Sequence, residues 1–479
     1  MSGIMRELRA SAPAGLGERV AQALRELLLR VGDDTRVDEM AVDLLIADLD
    51  RRLAAQLDTI LHHPQVQAIE SAWRSAKRLV DRVDHHENII TEIFSCSREE
   101  LFEDFSGAPE IPRSGLYSVV YNRAYGVFGG NPYGVICAAF DFGSGAEDLG
   151  LLRYCAAVAA MAHAPLIANA SPSLLGLDSF ADLPRLRDPA AAMNSPRLRL
   201  WRAFRATEDA RYVTLALPRV LLREPYNVET CPHDQLRYRE STRHGAADLL
   251  WGYASFELTA LIAASFARHR WGVYFLGSRA AAVAEQIRWT YPSLAGIWHR
   301  CPLECQVSNR IEHALADEGL TALVYQRGSG QRPGVASVLS APSVRQPAHF
   351  VSATGGDERA NVSERLGAQM PYMLLVSRIA HYLKCVERER VGSWQDRAAI
   401  ERSLDRWLRN FVADQDDADW AVRARKPFRR ARALVERVEG QTGWYRCRLE
   451  IQPHLTHNSA SFTLSLVGKL DRPASESSR

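Results

Sequence analysis

The chain has 479 residues, with 59 Lys and Arg against 57 Asp and Glu, 47% hydrophobic and 24% charged residues, and a formal charge of +2. That balance excludes a disordered chain, a collagen and a short disulfide scaffold, and it gives no global attraction to nucleic acid or anionic membrane. The longest apolar runs, 155–162 and 258–264, fall far short of the roughly 18–20 residues of a membrane span.

At the N-terminus Arg6, Glu7 and Arg9 interrupt the chain and no apolar run follows, so an unexported, cytoplasmic protein with reduced thiols is expected. Residues 18–31 read as a helix, with Val20, Leu24, Leu27, Leu28 and Val31 on one face and Gly32 as its stop. Thr35 and Asp38 resemble a capping box. A second helix then runs to about 61, carrying Val42, Ile46, Leu49, Leu53, Leu57 and Ile60 at spacings of three or four, and Pro64 ends it. The chain's own core and a partner helix claim that stripe equally well.

From 66 to about 341 helix and strand alternate. Residues 72–83, 149–164 and 246–269 read as helices, and 89–95, 133–140, 212–217, 272–277 and 321–326 as strands, the order of an α/β fold. Residues 328–356, rich in Gly, Ser, Pro and Gln, read as a loop or domain junction. Two helices follow, 362–390, with Pro371 as a kink or split, and 395–414. An acidic stretch (Asp414, Asp416, Asp417, Asp419) and a basic one (Arg423, Arg425, Lys426, Arg429, Arg430, Arg432) lead to two strands, 444–452 and 461–470. In the first, Tyr445, Cys447, Leu449 and Ile451 alternate with polar residues; in the second, Phe462, Leu464, Leu466 and Leu470 alternate likewise. The regions expected are thus an N-terminal helical one (1–65), a central α/β one (66–345) and a C-terminal one of helices and strands (346–479).

No catalytic constellation emerges. The best glycine cluster, Gly328 to Gly334, lacks the Lys that a phosphate loop needs. His299, Cys301, Cys305 and His313 match no zinc module, since there is no second Cys pair, and they read as strand residues with small buried thiols. No Gly-x-Ser-x-Gly elbow occurs. Neither a metal nor a cofactor is expected. The basic run has only Phe428 for stacking and an acidic flank, which favours a salt-bridged or partner-facing surface over nucleic acid.

Several segments carry a family resemblance. Ile60-Leu-His-His-Pro64 leads into Glu70-Ser-Ala-Trp-Arg74. Tyr125-Gly-Val-Phe-Gly-Gly-Asn-Pro-Tyr-Gly134, Asp141-Phe142, Ala162-His-Ala-Pro165 and Ala170-Ser-Pro172 follow. So do Trp201-Arg-Ala-Phe-Arg205, Asp209-Ala-Arg-Tyr-Val213, Leu217-Pro-Arg-Val220, Pro371-Tyr372, Ala380-His-Tyr-Leu383 and Gly443-Trp-Tyr445. In this order, over about 40–470, the chain resembles the large sheath subunit of the bacterial type VI secretion system, the TssC/VipB family.

The resemblance implies a structural protein with a fold related to contractile phage-tail sheaths: mixed sheets with packed helices. It also implies pairing with a small sheath subunit (TssB/VipA), and polymerisation with neighbouring sheath subunits around an inner tube of Hcp on a membrane-anchored baseplate. Contraction then ejects the tube, and a ClpV-type ATPase disassembles the contracted sheath. No nucleic-acid partner and no membrane insertion are expected. Three partner surfaces follow: Val42, Ile46, Leu49, Leu53 and Leu57 for the small subunit; Arg423, Arg425, Lys426, Arg429 and Arg430 for the tube or a neighbour; and the strands holding Tyr445, Cys447, Leu449, Ile451, Phe462, Leu464 and Leu466 for strand exchange between subunits. The reading from another class is a cytosolic α/β enzyme whose site is built from distant residues.

Overall fold

The computed structural model describes residues 39–127, 129–229, 238–277, 290–293, 296–326, 335–348, 358–389, 397–413, 419–437, 445–454 and 462–468. Contacts divide the chain into two compact units: residues 1–63 with 225–241, and residues 64–224 with 242–479. The helix expected over 18–31, and Thr35 with Asp38, lie outside the described residues.

The first unit is helix α1 (Glu39–Leu61) and the segment that holds its C-terminal end. Asp58 accepts from the Tyr238 hydroxyl at 2.7 Å and from the Ser241 N–H at 3.1 Å. Glu240 is buried, accepts from the Tyr226 N–H at 2.8 Å and stands 3.3 Å from His62 Nε2. A buried carboxylate with this many donors is satisfied.

The second unit opens with α2 (Pro64–Arg82), whose Ser71, Ser75 and Leu79 face inward, and α3 (Arg98–Gly107), started by a Ser97–Glu100 capping box. Then come β1 (Ile136–Phe142), α4 (Ala146–Ala162), β2 (Leu166–Ala170), α5 (Arg199–Arg205) and β3 (Val213–Leu217). β4 (Val220–Leu221) pairs antiparallel with β5 (Trp251–Gly252), ahead of α6 (Ala254–His269). A hairpin of β6 (Thr290–Ser293) and β7 (Gly296–His299) precedes α7 (Asn309–Asp317), β8 (Leu320–Gln326) and β9 (Val335–Val338). The main sheet has the order β1-β2-β3-β8-β9, parallel except for β9. Its strands are continuous apolar runs because helices cover both faces. Leu152, Trp201, Phe204 and Leu315 from α4, α5 and α7 fill one side; Leu258 and Leu261 from α6 fill the other.

The chain continues through α8 (Glu358–Gly367), α9 (Met370–Glu389), α10 (Arg397–Arg409) and α11 (Trp420–Arg425). It closes with an antiparallel sheet of β10 (Phe428–Arg437), β11 (Tyr445–Pro453) and β12 (Phe462–Gly468), in that order. α9 belongs to two cores. Met370 and Leu374 join the α6 side of the main sheet, while Leu375 and Ile379 meet Leu404, Leu408, Phe428 and Leu449. The architecture is the expected α/β one, with mixed sheets and C-terminal strands.

Several expected elements differ. Residues 89–95 carry strand-forming residues but make no ladder; Ile90, Ile93 and Phe94 face solvent. Residues 272–277 also lack a ladder, although Trp271, Val273 and Phe275 are buried alternately. Alternation sets which side chains go inward, and only a neighbouring edge makes a strand. The helix expected from 246 starts at Ala254, because Trp251 and Gly252 are taken by β4. The loop expected over 328–356 contains β9, a short buried edge strand. The helix expected over 362–390 is two helices; Pro371 sits in the first turn of α9, where its missing N–H leaves no bond unmade. Finally, the basic run hides β10: Ala431, Ala433 and Val435 point inward between exposed Arg430, Arg432 and Glu436.

Candidate functional site

Three surfaces and two buried polar clusters stand out. On α1, Ile46, Leu49 and Leu53 are 51%, 58% and 48% exposed, and Ile60 is exposed on the same face. Leu57 is half-buried, and Val42 lies in the helix with its side chain outside the described set. At 100° per residue, positions 46, 49, 53, 57 and 60 form one stripe. Met40 and Leu44, also exposed, lie on the opposite face.

The C-terminal sheet forms the second surface. β11 is its middle strand, bonded to β10 on one side and β12 on the other. Leu449 and Ile451 are buried against α9 and α10, and Cys447 packs beside them. The open edge expected for Tyr445–Ile451 is therefore taken within the chain. β10 is an outer strand whose Ala433 N–H is capped by Asp405 Oδ1 at 2.8 Å. The other outer strand is β12, which places Phe462, Leu464 and Leu466 opposite Ile451, Leu449 and Cys447.

The third surface is the basic run. Arg423 and Arg425 lie on α11; Lys426 follows it, and Arg429 and Arg430 open β10. Arg425, Lys426, Arg429 and Arg430 are exposed, whereas Arg423 is half-buried. The segment is anchored by its backbone: Trp271 Nε1 donates to Arg425 O at 3.1 Å, and the Tyr274 hydroxyl to Arg423 O at 3.0 Å. Trp420 packs edge-on against His269. Burial pushes the His269 pKa down, and Arg268 and Arg425 push it further, a sign of a positive local field.

The first buried cluster sits at the C-terminal end of β1. Arg219 grips Glu304 with Nε to Oε2 at 2.7 Å and Nη2 to Oε1 at 2.9 Å, and Ser179 adds a bond at 3.0 Å. Asp141 lies nearby with Oδ1 buried and without a hydrogen-bond donor. Burial pushes its carboxyl up to about 6; Glu304 adds to the rise, while Arg219 and Arg98 oppose it. A raised carboxyl at this end of a parallel sheet is, among the described residues, the feature most like a catalytic site. Its arginine, however, is already committed to Glu304, and Cys301, Cys305 and His313 are not part of it.

The second cluster joins α9 to the C-terminal end of α4. Lys384 Nζ donates to Met161 O at 3.1 Å; the Tyr125 hydroxyl and His381 Nε2 donate to Ala162 O at 2.8 and 3.2 Å. Lys384 also lies over the rings of Tyr121 and Tyr125 at 5.0 and 4.8 Å. His163 closes α4 in the left-handed conformation and meets the Tyr212 hydroxyl at 3.0 Å. Burial holds His163 near 3 and His381 near 4, so both are neutral and serve as hydrogen-bonding groups. One turn on, Arg388 Nη1 donates to the carbonyls of Ala124, Val127 and Gly130. A Cβ at Gly130 would stand 2.6 Å from two carbonyl oxygens, so this close turn requires glycine.

Residues 43–344 match the EvpB/VC_A0108 family's tail sheath N-terminal domain, and residues 359–470 its tail sheath gpW/gp25-like domain. The chain is also 31% identical to the type VI secretion system sheath protein TssC1 of Pseudomonas aeruginosa, over 90% of this chain and 86% of that protein. The chain belongs to the TssC/VipB family of type VI secretion sheath large subunits. The buried clasp thus ties the sheath N-terminal domain, which holds α4, to the gpW/gp25-like domain, which holds α9. The segments that carried the resemblance gather there: Tyr125, Ala162-His163, Tyr212 and His381. Lys384 and Arg388 were missed by sequence reasoning. Their only signal was a rare lysine and an arginine at i and i+4 on a mostly apolar helix.

Proposed function

We propose that this sheath subunit acts in the cytoplasm by assembly alone, without catalysis. It pairs with the small subunit through the α1 stripe and polymerises with neighbouring copies around an Hcp tube on a baseplate, contracts to eject the tube, and is recycled by a ClpV-type ATPase. The observation that carries this reading is the exposed stripe Ile46, Leu49, Leu53 on a helix already fastened at its other end. Fully burying an exposed Leu or Ile side chain is worth about 1.5–3 kcal/mol, and these side chains are about half exposed, so a partner helix gains roughly half of that from each. Residues 1–65 serve small-subunit pairing, 66–345 the sheath body, and 346–479 the inner layer and subunit linking. The outer strand β12 and the basic run are its linking surfaces.

The enzyme reading rests on Asp141 alone. Here the carboxylate is assigned to the framework of the β1 end rather than to catalysis, because Arg219 and Glu304 are bonded to each other and Glu304 takes the Ser179 hydroxyl as a further donor. Negative-stain microscopy of the chain coexpressed with the small subunit tests the proposal. Long tubules are expected; a small closed oligomer of defined size contradicts it.

A further inference from the structure

The sheath is an open helical polymer, and such a polymer needs a contact between two different patches of one chain. Two runs of this sequence are matched in charge. Residues 87–110 hold seven acidic residues and one basic, 7 − 1, a net of −6; residues 420–432 hold six basic residues and no acidic one, a net of +6. Both belong to the second compact unit.

Each run also carries apolar surface that is exposed among the described residues. In the acidic run the extended segment before α3 exposes Ile90 at 73% and Ile93 at 62%, and Phe94 beside them is exposed. Glu92, Glu99 and Glu103 flank it, all exposed. In the basic run Trp420 and Val422 are exposed among Arg425, Lys426 and Arg430. An apolar centre with a charged rim is the composition of a docking surface.

The fold sets α3, which carries Glu99 and Glu103, and the basic run at opposite ends of α6. At its C-terminal end, Trp420 packs on His269 and Trp271 Nε1 holds Arg425 O. At its N-terminal end, Ser255 Oγ donates to Ala138 O of β1, and Arg98, the first residue of α3, donates to Asp141 O of the same strand. The acidic run passes from one end to the other: Glu87 pairs with Arg270, just past α6, and Arg98 with Asp148. With 16 residues in α6, the ends are roughly 24 Å apart at a rise of about 1.5 Å per residue. Two complementary patches set this far apart allow a head-to-tail contact that repeats along a polymer.

We propose that the acidic face around Ile93, Glu99 and Glu103 receives the basic face around Trp420, Lys426 and Arg430 of a second copy of this chain, making a contact between neighbouring large subunits. The inference rests on the sheath reading and gives the basic run a neighbour, not the inner tube, as its partner. Charge complementarity fixes the register of such a contact, and the apolar centre supplies the burial.

The test is a charge exchange in the chain coexpressed with its small subunit and inner tube protein. Glu99→Arg with Glu103→Arg, and separately Lys426→Glu with Arg430→Glu, should each lower sedimentable tubules by about tenfold or more, and the four changes together should restore them to within about threefold of the parent. Copurification with the small subunit should survive in all three. Glu100 is left intact because it closes the capping box of α3. A set that fails to copurify is replaced by glutamine at the same positions, for which a fall in tubules of about threefold or more is required. The proposal is overturned if the acidic set assembles normally while the basic set does not, which would assign the basic face to the tube. It is also overturned if the four-fold variant is no better than either pair, or if the glutamine variants assemble normally. Absence of tubules from the parent chain would instead sink the sheath reading itself.

Discussion

α1 and α9 are built on the same pattern and meet different fates. Both carry apolar side chains at spacings of three and four. α9 buries Tyr372, Leu375 and Ile379 to 1% exposure or less, whereas α1 leaves Ile46, Leu49 and Leu53 about half exposed. The difference lies in what else the chain supplies. Against α9 it brings α10, β10 and β11, and polar residues of α9 reach the free carbonyls of α4. Against α1 it brings polar anchors at the C-terminal end, Tyr238 and Ser241 on Asp58. An apolar stripe therefore predicts burial without saying by whom.

The comparison breaks most visibly by placing the same charge in each helix. Leu375→Asp puts a carboxylate into a closed core and should cost about 4–5 kcal/mol or more, enough to remove the soluble chain from an expression lysate. A soluble, cooperatively melting Leu375→Asp protein would mean that α9 is not the core helix described. Lys384→Met keeps much of the side-chain volume but removes the bond to Met161 O and the charge over Tyr121 and Tyr125. A loss of about 1–3 kcal/mol in denaturant unfolding is expected. A neutral result would show that the clasp contributes packing alone.

Asp141 sharpens the comparison from the other side, as a polar group inside the second unit that the chain leaves partly unsatisfied. Its carboxyl titrates near 6 in the fold against 3.8 for the ordinary group. The folded state thus holds the proton more tightly than the unfolded one. Stability from this group is full below about pH 4 and is lost as pH rises through 6. Asp141→Asn should accordingly stabilise the chain by about 1–2 kcal/mol at pH 7.5, with the gain vanishing near pH 4. Melting curves at the two pH values decide it; equal effects at both would mean that the carboxyl is not raised. The smallest effect belongs to α1 itself. Leu49→Ala should leave the unfolding free energy of the chain alone within about 0.5 kcal/mol, because its side chain loses little in the isolated fold.

Much of this was legible in the sequence. The helix of the 40–61 stripe, the alternation of helix and strand, and the two closing strands follow from periods of 3.6 and 2 and occur where those periods predict. The misses share a cause. Residues 89–95 and 272–277 have strand composition but form no ladder, and pairing is a property of the fold. β10 was hidden because most of its outward residues are charged, which drew attention to Arg429, Arg430 and Arg432 instead of to Ala431, Ala433 and Val435 between them. The site was less legible than the fold. The stripe residues could be named, but the clasp could not, because Lys384, His381, Tyr125 and Met161 are brought together only by tertiary packing across more than two hundred residues. The resemblance quoted some of these residues without a reason for them; the hydrogen bonds on the α4 carbonyls supply one.

The central claim is that the partner of the α1 stripe lies outside this chain and is the small sheath subunit. Leu49→Asp with Leu53→Asp tests it most directly, by coexpression with a tagged small subunit. A soluble large subunit is expected, with the melting transition of its second compact unit unchanged, that no longer copurifies with the tag. Copurification at the parent yield would contradict it.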